Sequence, residues 1–181
     1  MSTRSDAPSP ELLYLLAGDE DDFVETCQNM LPADIAEALN TLPPDAAARV
    51  AEALPFHLAV QVFDEPELER RGEIVERLKD EVAVPLIEAM SSDQQVDLFR
   101  ELTETDRARL LHVLDAPTRE ALKLLMSYPP TSAGGIMTTE FLSVPASWTA
   151  LQVRMYVSEV GSAKETVYAI YVLDDRDHRL V

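Results

Sequence analysis

The chain repeats a large apolar residue every twelve positions, and this period limits what it can fold into. The first series comprises Leu42, Leu54, Leu78, Met90, Leu102, Leu114 and Met126, and only Pro66 interrupts it. Two more series with the same spacing run beside it, one from Val50 to Leu122 and one from Ala51 to Leu111. Short helices of about ten residues produce this pattern, and none of them can bury its apolar stripe alone. We therefore predict a mainly α-helical, superhelical array with one continuous core.

Proline and small polar residues mark where these helices should begin. Pro66 precedes a helical pattern, so a helix is expected to start directly after it. Thr103 and Asp106 have the spacing of a capping box. Pro85 falls inside an apolar helical pattern, where a missing N–H should kink the helix or restart it.

Composition excludes several kinds of partner. Acidic residues outnumber basic ones 33 to 15, which gives a formal net charge of -18. So negative a surface repels phosphate backbones and anionic lipid headgroups, and we therefore expect no nucleic acid partner. Cys27 is the only cysteine, so an intramolecular disulfide and a thiolate metal cluster are both excluded. No apolar run reaches the length of about 20 residues that a membrane span needs, so we expect a soluble chain.

The pattern changes after Tyr128. Pro129 and Pro130 should stop the last helix, and the small residues up to Gly134 and Gly135 are typical of a hinge. We predict a flexible tail over residues 1–10, a helical domain over residues 11–129 and a second, α/β domain over residues 130–181.

The second domain alternates extended and helical patterns. Residues 141–145 predict a short extended segment, and residues 148–160 return to helical spacing. Residues 166–173 are rich in β-branched and aromatic side chains and predict a buried strand. A polar turn over residues 174–178 should then lead into a partner strand that starts at residues 179–181.

Two segments at this boundary resemble the MgtE family of magnesium channels and transporters. They are SAGGIMTTEFLSVPASWTALQV, residues 132–153, and ETVYAIYVLD, residues 165–174. The motif LPADIA at residues 31–36 is similar to the same family's N-terminal superhelical domain. The resemblance implies that a truncated first cystathionine-β-synthase (CBS) module follows the helical domain. It also implies that the second CBS module and the transmembrane domain lie outside this chain.

The resemblance carries functional expectations. It implies a regulatory region on the cytoplasmic side of the bacterial inner membrane that senses Mg²⁺, with a homodimeric full-length protein and no enzymatic activity. In the family, magnesium binds among carboxylates between the helical domain and the CBS modules, and the docked assembly holds a transmembrane pore shut. The rival hypothesis is a protein-binding scaffold, in which the helical array holds a partner segment and its acidity has no metal role.

Asp93 and Asp97 are the leading candidates for metal ligands. They lie one helical turn apart, with Glu101 next on the same stripe, so their carboxylates project from one face. Such rows are most often solvated faces, but the resemblance assigns the aspartate pair to the family's ion site. Gln61 stands where relatives carry a glutamate, so it would contribute an amide oxygen without charge. We treat Gln61 and Glu101 as secondary candidates.

Overall fold

The computed structural model describes residues 18, 20–135, 137, 141–160, 169–176 and 179–181. Contacts divide the chain into two compact units, Met1–Gly135 and Ile136–Val181. The predicted tail over residues 1–10 lies outside the described residues. Over the described ranges, no helix combines the length and the apolar character that a membrane span requires.

The first unit is a succession of short α-helices, as the twelve-residue period predicts. Most are nine to eleven residues long, and after the first helix each packs chiefly against the next helix but one. In chain order they are α1 (Glu20–Gln28), α2 (Pro32–Thr41), α3 (Pro44–Ala53), α4 (Phe56–Asp64), α5 (Arg71–Val75), α6 (Asp80–Ala89), α7 (Ser92–Glu101), α8 (Glu104–Val113) and α9 (Ala116–Met126). A single 3₁₀ turn, Ala133–Gly135, follows α9.

The periodic apolar residues form one core, and each series has its own place in the repeat. The first series supplies the buried residue that ends a helix: Leu42, Leu54, Met90, Leu102 and Leu114 are the C-caps of α2, α3, α6, α7 and α8. The second series lies within the helices and is buried throughout, from Val50 to Leu122. The prediction of a shared core is therefore confirmed.

Acidic side chains spaced twelve residues apart complete the starts of later helices. Each accepts a hydrogen bond from the backbone N–H of the residue that caps a helix three further along the chain. The pairs are Ser91 N–H to Asp64 at 3.0 Å, Thr103 N–H to Glu76 at 3.0 Å and Asp115 N–H to Glu88 at 2.8 Å. A helix N-terminus favours an anion, so part of the acidic excess serves the fold itself.

A second polar series completes the ends of helices. Its members are spaced by twelve or twenty-four residues, and each donates to carbonyl groups at the C-terminal end of the preceding helix. They are Arg71 to Phe63 and Glu65, Gln95 to Ile87 and Met90, Arg107 to Phe99 and Leu102, and Arg119 to Leu114. The repeat therefore specifies hydrogen bonds as well as the apolar core.

The helix expected after Pro66 starts five residues later, at Arg71. The Asn40 side chain holds the intervening segment in another conformation. Its Nδ2 donates to the Glu67 carbonyl at 2.6 Å, and its Oδ1 accepts from the Glu69 N–H at 3.0 Å. The prediction was wrong because a contact from a distant helix overrides the local helical pattern.

Pro85 does not restart a helix. It lies inside α6, which continues through it from Asp80 to Ala89. Proline has no N–H to donate to the carbonyl group of Glu81, one turn earlier. Both residues are exposed, so water can donate to that carbonyl group instead. The capping box is borne out in its first half, because Thr103 Oγ1 accepts from the Asp106 N–H at 3.2 Å.

The second unit contains β1 (Leu142–Pro145), α10 (Ala150–Val160) and β2 (Ile170–Leu173). The two strands pair in parallel, with Leu142 opposite Ile170. An antiparallel bridge joins Leu173 to Leu180, in keeping with the predicted return strand. The expectation of a buried strand is wrong for β2, whose residues are exposed except for the half-buried Leu173. A two-stranded sheet is too small to cover both faces of a strand. Residues 166–168 and 177–178 of these predictions lie outside the described residues.

Phe63 and Phe56 offer a direct test of the shared core, since both lie on α4. Phe63 is fully buried, whereas Phe56 is 56% exposed. We expect Phe63→Ala to lower the free energy of unfolding by roughly 3–5 kcal/mol, because it leaves a cavity in the core. Phe56→Ala should cost less than about 1 kcal/mol. Urea denaturation followed by circular dichroism measures both, and equal losses would contradict this packing.

Candidate metal-binding site

Asp93 lies in the first turn of α7 and is half-buried. Its Oδ2 accepts a hydrogen bond from Gln94 Nε2 at 3.2 Å. Its Oδ1 is inaccessible to solvent and has no hydrogen-bond partner among the described residues. A buried oxygen without a donor is unfavourable, although the N-terminus of α7 offsets part of the charge. Within the described part of the chain, this oxygen is therefore the one carboxylate atom of the region that burial leaves without a donor.

Asp97 lies one turn further along α7, and its side chain is 54% exposed. Arg100 Nη1 donates to its Oδ1 at 3.0 Å. The same guanidinium also reaches the Gly135 carbonyl oxygen, at 3.4 Å from both Nη atoms. Asp97 is thus accessible from solvent and already holds one cation.

Glu101, a secondary candidate, is engaged by the fold. Its Oε2 accepts from the Gly72 N–H at 2.8 Å, and its Oε1 lies 3.9 Å from Arg71 Nη1. A Cβ on Gly72 would lie 2.8 Å from the Glu101 Cβ, so this close approach requires glycine. Burial raises the pKa of Glu101, while the Gly72 N–H and Arg71 oppose that shift. A metal ion would have to compete with these contacts.

The other secondary candidate, Gln61, is exposed on α4. Its assignment as a ligand stays a prediction, as do those of Asp93, Asp97 and Glu101. Because the side chain is exposed, its amide oxygen is accessible to an ion through a bridging water.

Asp64 and Arg71 belong to the same charged region, although neither was predicted from the sequence to lie there. Arg71 is only 3% exposed, and burial lowers its pKa. Four carboxylates oppose that shift through their charge, those of Glu101, Asp97, Asp64 and Asp93. Asp64 lies on the acidic series that completes helix starts and Arg71 on the series that completes helix ends, and the spacing of each series is the signal that points to them in the sequence.

Asp64, the last residue of α4, is half-buried. Burial raises its pKa, as does the negative charge of Asp93, while hydrogen bonds from the Ser91 N–H and hydroxyl lower it. With Arg71 and Arg100, the region therefore contains four carboxylates and two guanidinium groups. The excess of negative charge favours a further cation.

The predicted hinge residues form a hydrogen-bonded turn. The Ser132 N–H donates to the Pro129 carbonyl oxygen at 2.9 Å, and the Gly135 N–H donates to the Ser132 carbonyl oxygen at 2.9 Å. A Cβ on Gly134 would lie 2.6 Å from the Tyr128 ring, and one on Gly135 would lie 2.2 Å from the Pro129 oxygen. Close packing therefore requires both glycines here. A hinge motion at Pro129, Pro130, Gly134 and Gly135 stays a prediction.

The donor set fits a hard divalent cation as part of a site. No group of three or more His, Cys, Asp or Glu side chains is arranged to hold a metal ion within the residues that the structure describes. Magnesium takes oxygen ligands, often only one or two carboxylates, and keeps several waters. The unpartnered Asp93 Oδ1 and the exposed Asp97 meet that requirement only if other ligands complete the shell.

Comparison with known proteins identifies the class. The model of the MgtE intracellular N domain matches residues 30–131. The chain is 27% identical over 165 residues to the magnesium transporter MgtE of Thermus thermophilus, covering 90% of this chain and 37% of that protein. It is 24% identical over 164 residues to MgtE of Bacillus subtilis, covering 91% and 36%. The chain thus spans little more than a third of these relatives.

Solved structures agree with that match. The cytosolic domain of the Mg²⁺ channel MgtE in complex with ATP superposes with a TM-score of 0.83 at 26% identity, covering 96% of this chain and 71% of that one. The soluble part of a magnesium transporter gives 0.78 at 24% identity, with 96% and 70% covered, and supports the fold alone. The predicted fold class is confirmed.

The fold is thus that of a transporter's cytosolic helical domain. This chain belongs to the MgtE family, through the intracellular N domain that covers more than half of its length.

The buried Arg71 can be compared with the exposed Arg77, which pairs with Asp45 at 2.9 Å. We expect Arg71→Met to lower the free energy of unfolding by roughly 2–4 kcal/mol, because two carbonyl groups lose their donor and the Glu101 carboxylate loses its counter-ion. Arg77→Met should cost less than about 1 kcal/mol, as exposed ion pairs do. Urea denaturation of both variants provides the measurement. A small loss for Arg71→Met would show that its contacts are dispensable.

Asp64→Asn should reveal the raised pKa. A carboxyl group with a raised pKa in the folded state contributes stability that is present below its unfolded pKa and lost as pH rises through the folded pKa. Asparagine keeps an oxygen for Ser91 but never ionises. The variant should therefore gain stability relative to wild type as the pH rises from about 4, the ordinary aspartate pKa, through the raised pKa of the folded state. Unfolding at several pH values tests this, with the exposed Glu37→Gln as a control that should show little gain.

Proposed function

We propose that this chain is the magnesium-sensing cytosolic region of an MgtE-type magnesium transporter or channel, and that it acts as a regulatory domain without catalysis. The observation that carries the proposal is the unpartnered, buried Oδ1 of Asp93 beside the exposed carboxylate of Asp97. Two independent facts support it: the region has more carboxylates than guanidinium groups, and the relatives are named magnesium transporters.

Asp93 and Asp97 supply only part of an ion's shell. Water and oxygen ligands from outside this helical domain complete it, with Gln61 and Glu101 as secondary contributors. The ion thereby joins the acidic helical domain to another acidic module, and without it the two repel each other. A ligand shifts such an equilibrium only through its preference for the joined state.

The joined state is the regulatory signal. In the full-length protein, which we propose to be a homodimer, the turn from Pro129 to Gly135 accommodates the movement, and docking closes a membrane pore that lies beyond this chain. Converting a mostly open population into a mostly closed one requires about 5.5 kcal/mol of differential binding. A single hydrated ion falls short of that, so several ions act together. This region works on the cytoplasmic side of the membrane.

The ion contacts of Asp93 and Asp97 can be tested with Mn²⁺, which broadens nearby amide signals in ¹H–¹⁵N spectra and suits weak sites. We expect Mn²⁺ to broaden amides of α7 selectively and excess Mg²⁺ to reverse the effect. Asp93→Asn/Asp97→Asn should abolish the selectivity, because the amides remove both charges at nearly constant shape.

Asp34→Asn/Glu37→Gln is the matched control, since it removes two exposed acidic groups from α2. It should leave the broadening of α7 unchanged. Equal effects of the two double variants would mean that Mn²⁺ responds only to net charge, and the scaffold hypothesis would then be preferred.

A further inference from the structure

We infer that Arg100 is a resident counter-cation of Asp97, which a divalent ion must displace in order to bind. The inference rests on the proposed function, because it takes Asp97 to be a ligand. It identifies Arg100 as the residue that sets how much magnesium the site requires.

The contacts of Arg100 are those of an exchangeable cation. Its guanidinium is shared between Asp97 Oδ1 at 3.0 Å and the Gly135 carbonyl oxygen at 3.4 Å. A carboxylate oxygen and a carbonyl oxygen are also the ligand types that a hard divalent cation prefers. Asp97 is largely exposed, Arg100 is half-buried and the carbonyl contacts are long, so releasing the arginine costs little.

Arg71 differs, although it lies among the same carboxylates. It is buried and donates to two carbonyl groups at 2.8 Å. Gln95, Arg107 and Arg119 perform the same task in other repeats, which identifies Arg71 as a structural cation. Arg100 does not belong to that donor series, so helix ends do not explain its presence.

The repeat explains why an arginine occurs at this place. Asp64, Glu76 and Glu88 occupy successive positions of the acidic capping series, and Arg100 occupies the next one. Each acid of that series accepts from the N-cap residue 27 positions later. The residue 27 positions after Arg100 is Ser127, which ends α9 instead of starting a helix, so an acid at position 100 would have no N-cap to complete. The chain instead places a cation that reaches Asp97 on its own helix and Gly135 beyond α9.

Displacement also links the ion to the segment that ends the first unit. Arg100 cannot serve Asp97 and leave it free for an ion at the same time. Once an ion holds Asp97, the guanidinium loses its stronger contact, and its hold on the Gly135 carbonyl group weakens. Ion binding at α7 therefore weakens a contact of Gly135, one of the predicted hinge residues, within the same unit.

The test compares arginine variants by magnesium titration of the whole chain, with competition against Mn²⁺ broadening as the readout. Arg100→Met should bind magnesium about three- to fivefold more tightly, since the ion pair with Asp97 no longer competes. Arg100→Lys keeps the charge and should remain close to wild type. Arg77→Met, which removes the same charge from another surface pair, should also remain close to wild type.

Combining variants separates the two ideas. If Asp97→Asn leaves magnesium affinity unchanged, the proposed role of Asp97 as a ligand is wrong. If Asp97→Asn weakens binding but Arg100→Met does not tighten it, the role of Arg100 is wrong and that of Asp97 stands. The double variant Asp97→Asn/Arg100→Met should show no gain over Asp97→Asn. A higher magnesium affinity in that double variant, or an equal increase in Arg77→Met, would mean that Arg100 acts only through the net charge of the chain.

Discussion

The fold depends on hydrogen bonds that complete the ends of short helices. A helix leaves four N–H groups and four carbonyl groups without internal partners, so short helices carry a large share of unsatisfied groups. In this chain the same twelve-residue period that spaces the core also spaces the side chains that satisfy those groups. Asp64, Glu76 and Glu88 accept at helix starts, while Arg71, Gln95 and Arg107 donate at helix ends.

These two series show which acidic side chains the fold already uses and which it does not. The acids of the capping series are occupied by backbone N–H groups, and Glu101 is held by Gly72 and Arg71. Asp93 and Asp97 belong to neither series, and Asp93 keeps a buried oxygen without a partner. The net charge of -18 therefore includes acids that the fold itself uses, and it does not by itself indicate a metal site.

Much of the fold could be predicted from sequence because the repeat is local and regular. The errors arose where distant residues decide. Asn40 delays the helix expected at Pro66, and exposure allows α6 to run through Pro85. The aromatic and β-branched residues of β2 predicted a strand correctly but not its exposure, since burial depends on what covers the sheet.

The candidate site was only half accessible from sequence. Helical spacing places Asp93 and Asp97 on one face, and the family resemblance selected them from many acidic residues. Asp64 and Arg71 enter the same region from α4 and α5, which no spacing within α7 can reveal. The twelve-residue spacing of each series would have predicted that Asp64 and Arg71 complete helix ends. That they lie close to Asp93 and Asp97 depends on how the helices pack.

If the proposed function holds, the magnitudes favour several weakly bound ions over a single tightly bound one. A partly exposed ion pair such as that of Arg100 and Asp97 contributes about 1 kcal/mol, while reversing a two-state population takes about 5.5 kcal/mol. The arginine therefore cannot control the switch alone, but it subtracts from what one ion contributes. That subtraction moves the response to higher ion concentration and increases the number of ions that must bind together. The proposed sensor would gain from both effects, because a site that bound its ion tightly would stay saturated at every concentration it met.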